Sequence, residues 1–264
     1  MKLFVYEFAS SVVWEELPTS IRREGRAMFD AVCADAAASS LVGLDQVIAF
    51  ESVPPAQERS LLEQAAREAD WSLIIAPEFD GLLEQRLGWA LEAGGRLLGP
   101  GLAAVRLTTD KYVLAQHWQQ QGIPTPLTWL DEAAPPVPGP YVSKWRDGAG
   151  SQEMRLSTEM NPRGSRFIWQ PFHSGKPVSV AFLAGPGGTL MPLLAGWQRL
   201  ATQGRFHYAG GVLPIPEPLA KRATELARRA LATVPDLLGY VSVDLLLDEG
   251  DNPANDVVIE INPR

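Results

Sequence analysis

Two stretches near the end of the chain decide how the rest is read: Tyr240-Val241-Ser242-Val243-Asp244-Leu245-Leu246-Leu247 and Val257-Val258-Ile259-Glu260-Ile261-Asn262-Pro263-Arg264. Both are rich in β-branched and aliphatic residues. The segment between them, 248–256, carries the Asp, Gly, Asn and Pro of a turn. The pattern predicts an antiparallel hairpin centred near Asn252. Side chains alternate along a strand, so Ser242 and Asp244 share one face, as do Glu260 and Asn262. Symmetry about Asn252 sets Asp244 opposite Glu260. Two facing carboxylates in an apolar hairpin repel by roughly 4 kcal/mol at about 4 Å and an effective dielectric near 20. A cation between them reverses the sign. Asp, Glu and Asn oxygens are hard ligands suited to Mg²⁺ that also touches phosphate. The structural alternative is a carboxylate facing solvent at a sheet edge.

Length and composition frame this hairpin. The chain has 264 residues, 46% of them hydrophobic, enough for roughly two domains of about 150 residues and a substantial core. The net charge is −8 and the pI about 5.0, which argues against a general polyanion binder. No apolar run is long enough to span a membrane. The N-terminal residues 1–8 read as a first strand and lack a signal peptide's apolar stretch and cleavage site. Cys33 is the single cysteine, so no internal disulfide can form, and its place on a predicted helix reads as core. The expected location is the cytoplasm.

The first hundred residues alternate in type. Segments 3–8, 46–51, 71–78 and 96–99 read as strands, and 21–38, 59–69 and 82–93 as helices. This β-α-β-α order predicts a parallel sheet with helices on its faces. Ligands of such sheets lie beyond the strands' carboxyl ends. Glu7 and Glu78 fall there and are candidate substrate contacts or, equally, capping carboxylates. Thr108-Thr109-Asp110-Lys111 then opens a helix running to about Gln121, and the Pro-rich loop 131–140 marks a boundary.

Strand, glycine loop and strand follow: Tyr141-Val142-Ser143-Lys144-Trp145, then Arg146-Asp147-Gly148-Ala149-Gly150-Ser151, then Gln152-Glu153-Met154-Arg155-Leu156. Consecutive backbone N–H groups of such a loop can face phosphate oxygens, and an ordinary hairpin turn is the alternative. The loop matches neither a Walker A motif nor G-x-G-x-x-G. Only five of the 23 basic residues are lysines. Lys144 sits in an apolar strand just before the glycines. Lys111 sits in the first turn of a helix, where positive charge is poorly matched to the macrodipole. A bound anion offsets both costs, and lysine serves phosphate as a compact point charge.

The order Lys111, Lys144 with its glycine loop, Trp169-Gln170-Pro171-Phe172, Asp244 and Glu260-x-Asn262 resembles the ATP-grasp superfamily over nearly the whole chain. The resemblance implies an α/β and α+β protein of ATP-grasp fold. Its parts would be an N-terminal Rossmann-like parallel-sheet domain (1–107) and an ATP-grasp region (108–264). The latter divides into a small lid (about 125–172) and a C-terminal mixed-sheet, metal-binding part (about 173–264). It implies ATP and Mg²⁺, with Mn²⁺ as a substitute, and a ligase that activates a carboxylate as an acyl phosphate for attack by an amine. Lys111 and Lys144 would contact phosphate, and Gly148, Gly150 and Ser151 would form the mobile phosphate loop. Gln170 and Phe172 would hold adenine. Asp244, Glu260 and Asn262 would bind the metal, and Arg264 would touch phosphate or the acyl phosphate. Lys144 and Arg264 are the expected catalytic residues.

The hinge departs from the family where Gln170-Pro171 replaces a frequent acidic residue. The chain stops at Arg264, where relatives usually continue through a loop and helix, so it is expected to be minimal or to lack a tail. Three segments are similar to the small amide ligases typified by tyramine–glutamate ligase: Ile75-Ala76-Pro77-Glu78, Gly196-Trp197-Gln198-Arg199 and 207–214, whose His207 and Tyr208 are candidates for a substrate contact or a plain turn. The expected partners are small-molecule carboxylate and amine substrates, with no nucleic acid, no membrane, and a homodimer as an allowed assembly. A non-catalytic nucleotide sensor and a small-molecule kinase on the same fold stay open as alternatives.

Overall fold

The structure, a computed structural model, describes residues 1–15, 17–39, 44–130, 137–148, 153–161, 163–202, 206–250 and 252–264. The chain divides into two compact units, Met1–Leu102 with Arg264, and Ala103–Pro263.

The first unit runs β1 (Lys2–Glu7), α1 (Phe8–Ser11), α2 (Thr19–Ala38), β2 (Gln46–Ile48), α3 (Pro55–Glu68), β3 (Trp71–Ile75) and α4 (Leu82–Glu92). Its three strands pair in parallel in the order β2-β1-β3, with Glu7 level with Ile75. β1 is central, and its Phe4, Val5 and Tyr6 are fully buried, as a parallel strand covered on both faces requires. Leu3 and Val5 pack on Phe29 of α2, with Val32 and Cys33 beside it. On the even-numbered side, the Tyr6 hydroxyl donates to Glu58 of α3. Arg86 of α4 grips the same carboxylate at 2.8 and 2.9 Å. The predicted strand at 96–99 is reduced to one bridge, Ser72 with Leu97.

The second unit begins with two helices, whereas the sequence predicts one, from Thr108 to about Gln121, and none over 102–107. α5 (Leu102–Thr109) ends at the two threonines, and α6 (Lys111–Gln120) starts afresh. Asp110 separates them because its carboxylate accepts from the Tyr112 and Val113 N–H groups, an N-cap that ends one helix and begins the next. Four short strands follow: β4 (Trp129–Leu130), β5 (Tyr141–Trp145), β6 (Arg155–Ser157) and β7 (Phe167–Pro171). They form an antiparallel sheet in the order β4-β7-β5-β6. One face stacks Trp129, Tyr141 and Trp169 edge to face at 5.8 and 6.3 Å. Strand alternation leaves Val142, Lys144, Ile168 and Gln170 on the other.

The remaining elements are β8 (Lys176–Ala184), β9 (Leu190–Pro192), β10 (Gly196–Thr202), β11 (Phe206–Val212), α7 (Glu217–Leu231), β12 (Gly239–Leu247) and β13 (Val257–Asn262). They build a sheet ordered β11-β10-β8-β12-β13, with β9 also on β8. Every described pairing in it is antiparallel, where the resemblance implied a mixed sheet. Val178, Val180 and Phe182 alternate on β8, as Val241, Val243 and Leu245 do on β12. They meet Ala223, Leu226, Ala227 and Ala230 of α7, spaced for one helix face. Ser179, Ser242 and Asp244 point to the opposite face.

Candidate active site

Asp244 pairs with Glu260 and Ser242 with Asn262, the register that symmetry about Asn252 predicts. A β-bulge then intervenes, so that Leu245 faces Val258. The extra residue lets Val258 and Ile261 both enter the core while Glu260 stays on the polar face beside Asp244.

Two lysines converge on this pair. Lys111 Nζ lies 3.5 Å and Lys144 Nζ 3.9 Å from Glu260 Oε2. Lys111 also donates to the carbonyl of Gly148. Gly148 has no room for a side chain, since a Cβ there would stand 2.7 Å from Trp145 Cβ. Both lysines are buried, at 6% exposure. Burial pushes the Lys144 ammonium down to about 8, an effect strengthened by Lys111 and opposed by Glu260 and Asp244. Burial, then the facing Glu260 carboxylate, pushes Asp244 well above the usual carboxylate range, against hydrogen bonds from Ser179 and Asn262. The Asn262 amide donates to Asp244 Oδ2 at 3.2 Å, and Gln198 of β10 donates to Oδ1 at 3.0 Å.

This donor set fits Mg²⁺. It is all oxygen, and Asp244 and Glu260 face each other as two carboxylates in a partly buried position that a cation would relieve. Among the described residues no group of three or more His, Cys, Asp or Glu could by itself hold a metal ion. A metal here would draw its remaining ligands from phosphate and water, as Mg²⁺ does at nucleotide sites.

The other expected site residues are placed as follows. Gln170 lies on the Lys144 face of the small sheet, 5% exposed, its amide donating to Thr128 Oγ1 at 2.8 Å. The Phe172 N–H donates to the carbonyl of Pro140 at 2.8 Å. Gly150, Ser151 and part of the Pro-rich loop, 131–136, lie outside the described residues. Arg264 belongs to the first unit, with its Nε 3.0 Å from Glu78 Oε1. Glu7 caps α1, accepting from Ala9 and Ser10 N–H at 3.1 and 2.7 Å. Burial raises Glu7 despite these donors and nearby Arg264. Ser179 and Gln198 hold Asp244, and the sequence alone does not mark either as a site residue. Ser179's signal was a lone hydroxyl among the alternating valines of β8. Neither position reveals its neighbour, because β12 lies far along the chain from both β8 and β10.

Residues 108–264 match the ATP-grasp domain family, and residues 31–105 match the pre ATP-grasp 3 domain. The chain belongs to the ATP-grasp family. Tyramine–L-glutamate ligase of Methanocaldococcus fervens is 28% identical over 195 residues, covering 74% of this chain and 58% of the relative. The ligase of the same name from Methanocaldococcus jannaschii is 27% identical over 206 residues, covering 78% and 58%. The chain thus aligns with under two thirds of the length of these relatives. An ATP-grasp superfamily protein from Archaeoglobus fulgidus superposes with a TM-score of 0.80 at 26% identity, over 100% of this chain and 81% of that one. D-alanine–D-alanine ligase from Bacillus anthracis shares the fold, with a TM-score of 0.70 at 14% identity over 100% and 86%. No helix among the described residues is long and apolar enough to cross a membrane.

Proposed function

We propose that this chain is an ATP- and Mg²⁺-dependent ligase that activates a carboxylate as an acyl phosphate and joins it to an amine. One observation carries the reading. Lys111 and Lys144, from separate elements, converge on Glu260, which itself faces Asp244. Cations for phosphate and oxygen ligands for a metal thus stand side by side, the arrangement that phosphoryl transfer needs.

In this reading Lys111 and Lys144 hold phosphate oxygens, and Gly148, with Gly150 and Ser151, offers backbone N–H groups. Gln170 contacts adenine, and Phe172 contributes its carbonyl, since its N–H is already used. Asp244, Glu260 and Asn262 would hold Mg²⁺, which would supply charge neutralisation for phosphoryl transfer. The substrate carboxylate oxygen attacks the γ-phosphorus, the bond to the bridging oxygen breaks, and ADP leaves. The amine nitrogen then attacks the acyl carbon. Phosphate departs with the bonding pair, the amine gives up a proton, and a C–N bond remains. Buried lysines and excluded water protect the acyl phosphate from hydrolysis. Arg264 is assigned to the acyl phosphate by family resemblance. The relatives named tyramine–L-glutamate ligase support an amino acid and an amine as the substrate pair. The partners are small molecules, and the cytoplasm is the compartment.

The test is a screen of amino acids against amines for ADP and phosphate release with Mg-ATP. Release together with an amide product is the expected result. A stable phosphorylated acid would identify a kinase instead, and tight ATP binding without turnover would identify a sensor.

A further inference from the structure

Arg146 stands between two groups assigned to phosphate. Lys144 precedes it by two residues at the end of β5, and Gly148, whose carbonyl receives Lys111, follows it by two. Its guanidinium wraps Asp110, with Nε 2.9 Å from both carboxylate oxygens and Nη2 2.6 Å from Oδ2. Asp110 is already engaged as the N-cap of α6, the helix that begins with Lys111. One carboxylate therefore starts the helix bearing the first lysine and grips the strand end bearing the second. The main chain closes the same junction. Lys111 N–H donates to the Arg146 carbonyl at 2.9 Å, and Arg146 N–H donates to the Arg166 carbonyl at 2.8 Å. The guanidinium also lies 5.7 Å from the ring centre of Tyr112.

A half-exposed ion pair adds little stability by itself. Arg146 and Asp110 are 35% and 25% exposed, so stability is a poor reason for so many bonds at one place. Their effect is geometric, because a forked guanidinium on a carboxylate fixes both distance and orientation. We propose that Asp110 and Arg146 form a positioning clamp. It sets Lys111 and Lys144 at matched distances from Glu260, so that nucleotide phosphates meet a preformed pair of ammonium groups. Neither clamp residue needs to touch the nucleotide. The inference rests on the nucleotide-binding reading above, and its test separates the two.

The variants are Arg146→Met, Arg146→Lys, which keeps charge but loses the fork, and Asp110→Asn, which keeps the cap. Without nucleotide, amide exchange in Arg146→Met should quicken at 108–113 and 143–148 together, while β12 and α7 keep wild-type protection. In calorimetry, Arg146→Met and Asp110→Asn should each weaken Mg-ATP binding roughly tenfold, the scale of coupling between contacting residues. Arg146→Lys should recover only part. In a Lys111→Ala background the further loss from Arg146→Met should shrink to about twofold or less, because the clamp acts through that lysine. A lower melting temperature with unchanged Mg-ATP affinity overturns the clamp. So does a full loss that persists without Lys111. Wild-type protein that does not bind Mg-ATP overturns the nucleotide reading alone. The exchange result then decides the clamp, which fails unless both segments quicken.

Discussion

Lys111 and Glu260 are held 3.5 Å apart, and Lys144 reaches the same carboxylate oxygen from 3.9 Å. Two ammonium groups thus neutralise Glu260 with no added ion, while burial and the facing Glu260 still raise Asp244. This changes the energetics expected from the hairpin alone, where facing carboxylates were uncompensated. A metal entering by itself would have to compete with the lysines for Glu260. Mg²⁺ arriving with a nucleotide would not, because on the proposed reading the phosphates would take over the lysines.

Metal binding should therefore depend on nucleotide. Titration of the nucleotide-free protein with MgCl₂ should give no resolvable binding heat at millimolar metal, and adding ADP should make Mg²⁺ binding measurable. Saturable Mg²⁺ binding at micromolar concentration without nucleotide would contradict the competition between lysine and metal.

Glu260→Gln should lower stability. From the sequence, removing one of two facing carboxylates is expected to be neutral or stabilising. The structure reverses that expectation, since the substitution strips two buried ammonium groups of their nearest counter-charge. The expected loss is roughly 1–3 kcal/mol, the cost of leaving such groups poorly paired. Urea unfolding without nucleotide measures it, and Mg-ATP turnover should vanish in the same protein. Unchanged stability would mean that the lysines are solvated rather than paired.

Lys144→Met should raise the stability of the nucleotide-free protein. Burial lowers the Lys144 pKa to about 8 from its ordinary 10.5. The unfolded chain therefore holds this proton more tightly, and keeping the charge in the fold costs up to roughly 3 kcal/mol at neutral pH. That cost is fully present below pH 8, fades as pH rises through the interval to 10.5, and is gone above it. The advantage of Met over Lys should follow the same course. Denaturation at pH 7 and at pH 10 would check it, and a constant difference at both would rule out burial of a charged lysine as the cause. Mg-ATP affinity should fall in the variant at either pH.

The Asp244–Glu260 pairing was legible because a hairpin is local. Two apolar runs and a turn between them give the register by counting. The bulge beside the pair was not legible. Strict alternation puts Val258 and Glu260 on one face, and only core packing on both Val258 and Ile261 shows that the strand must slip. The helix break at Asp110 carried a signal, since Asp is a strong N-cap, but Thr108 and Thr109 read equally well as the start of the same helix. Thr108 in fact closes α5, its hydroxyl bonding back to the Ala104 carbonyl at 2.8 Å. The lysines stood out by composition, yet their meeting at Glu260 joins residues more than a hundred positions apart. Such placement comes from strand order and is not written in any local pattern.

Gln198→Leu tests that long-range part of the site. The Gln198 amide reaches Asp244 Oδ1 from β10, while Asn262 reaches Oδ2 from β13, so the carboxylate is held by strands on either flank of β12. Leu fills similar volume and cannot donate. Fold stability should drop by about 1 kcal/mol, the net worth of one hydrogen bond. Asp244 would then be free to turn, and for the proposed metal ligand the loss of a supporting donor should cost roughly 10–100-fold in metal affinity or activity. The Mg²⁺ concentration for half-maximal ATP turnover should accordingly rise roughly tenfold, with turnover at saturating Mg²⁺ reduced far less. Gln198→Glu separates orientation from shape. It places a third carboxylate against Asp244 and should disrupt the site more severely than Leu does. If Leu leaves the Mg²⁺ requirement unchanged, Asp244 is positioned without Gln198, and Gln198 has no part in the proposed metal site.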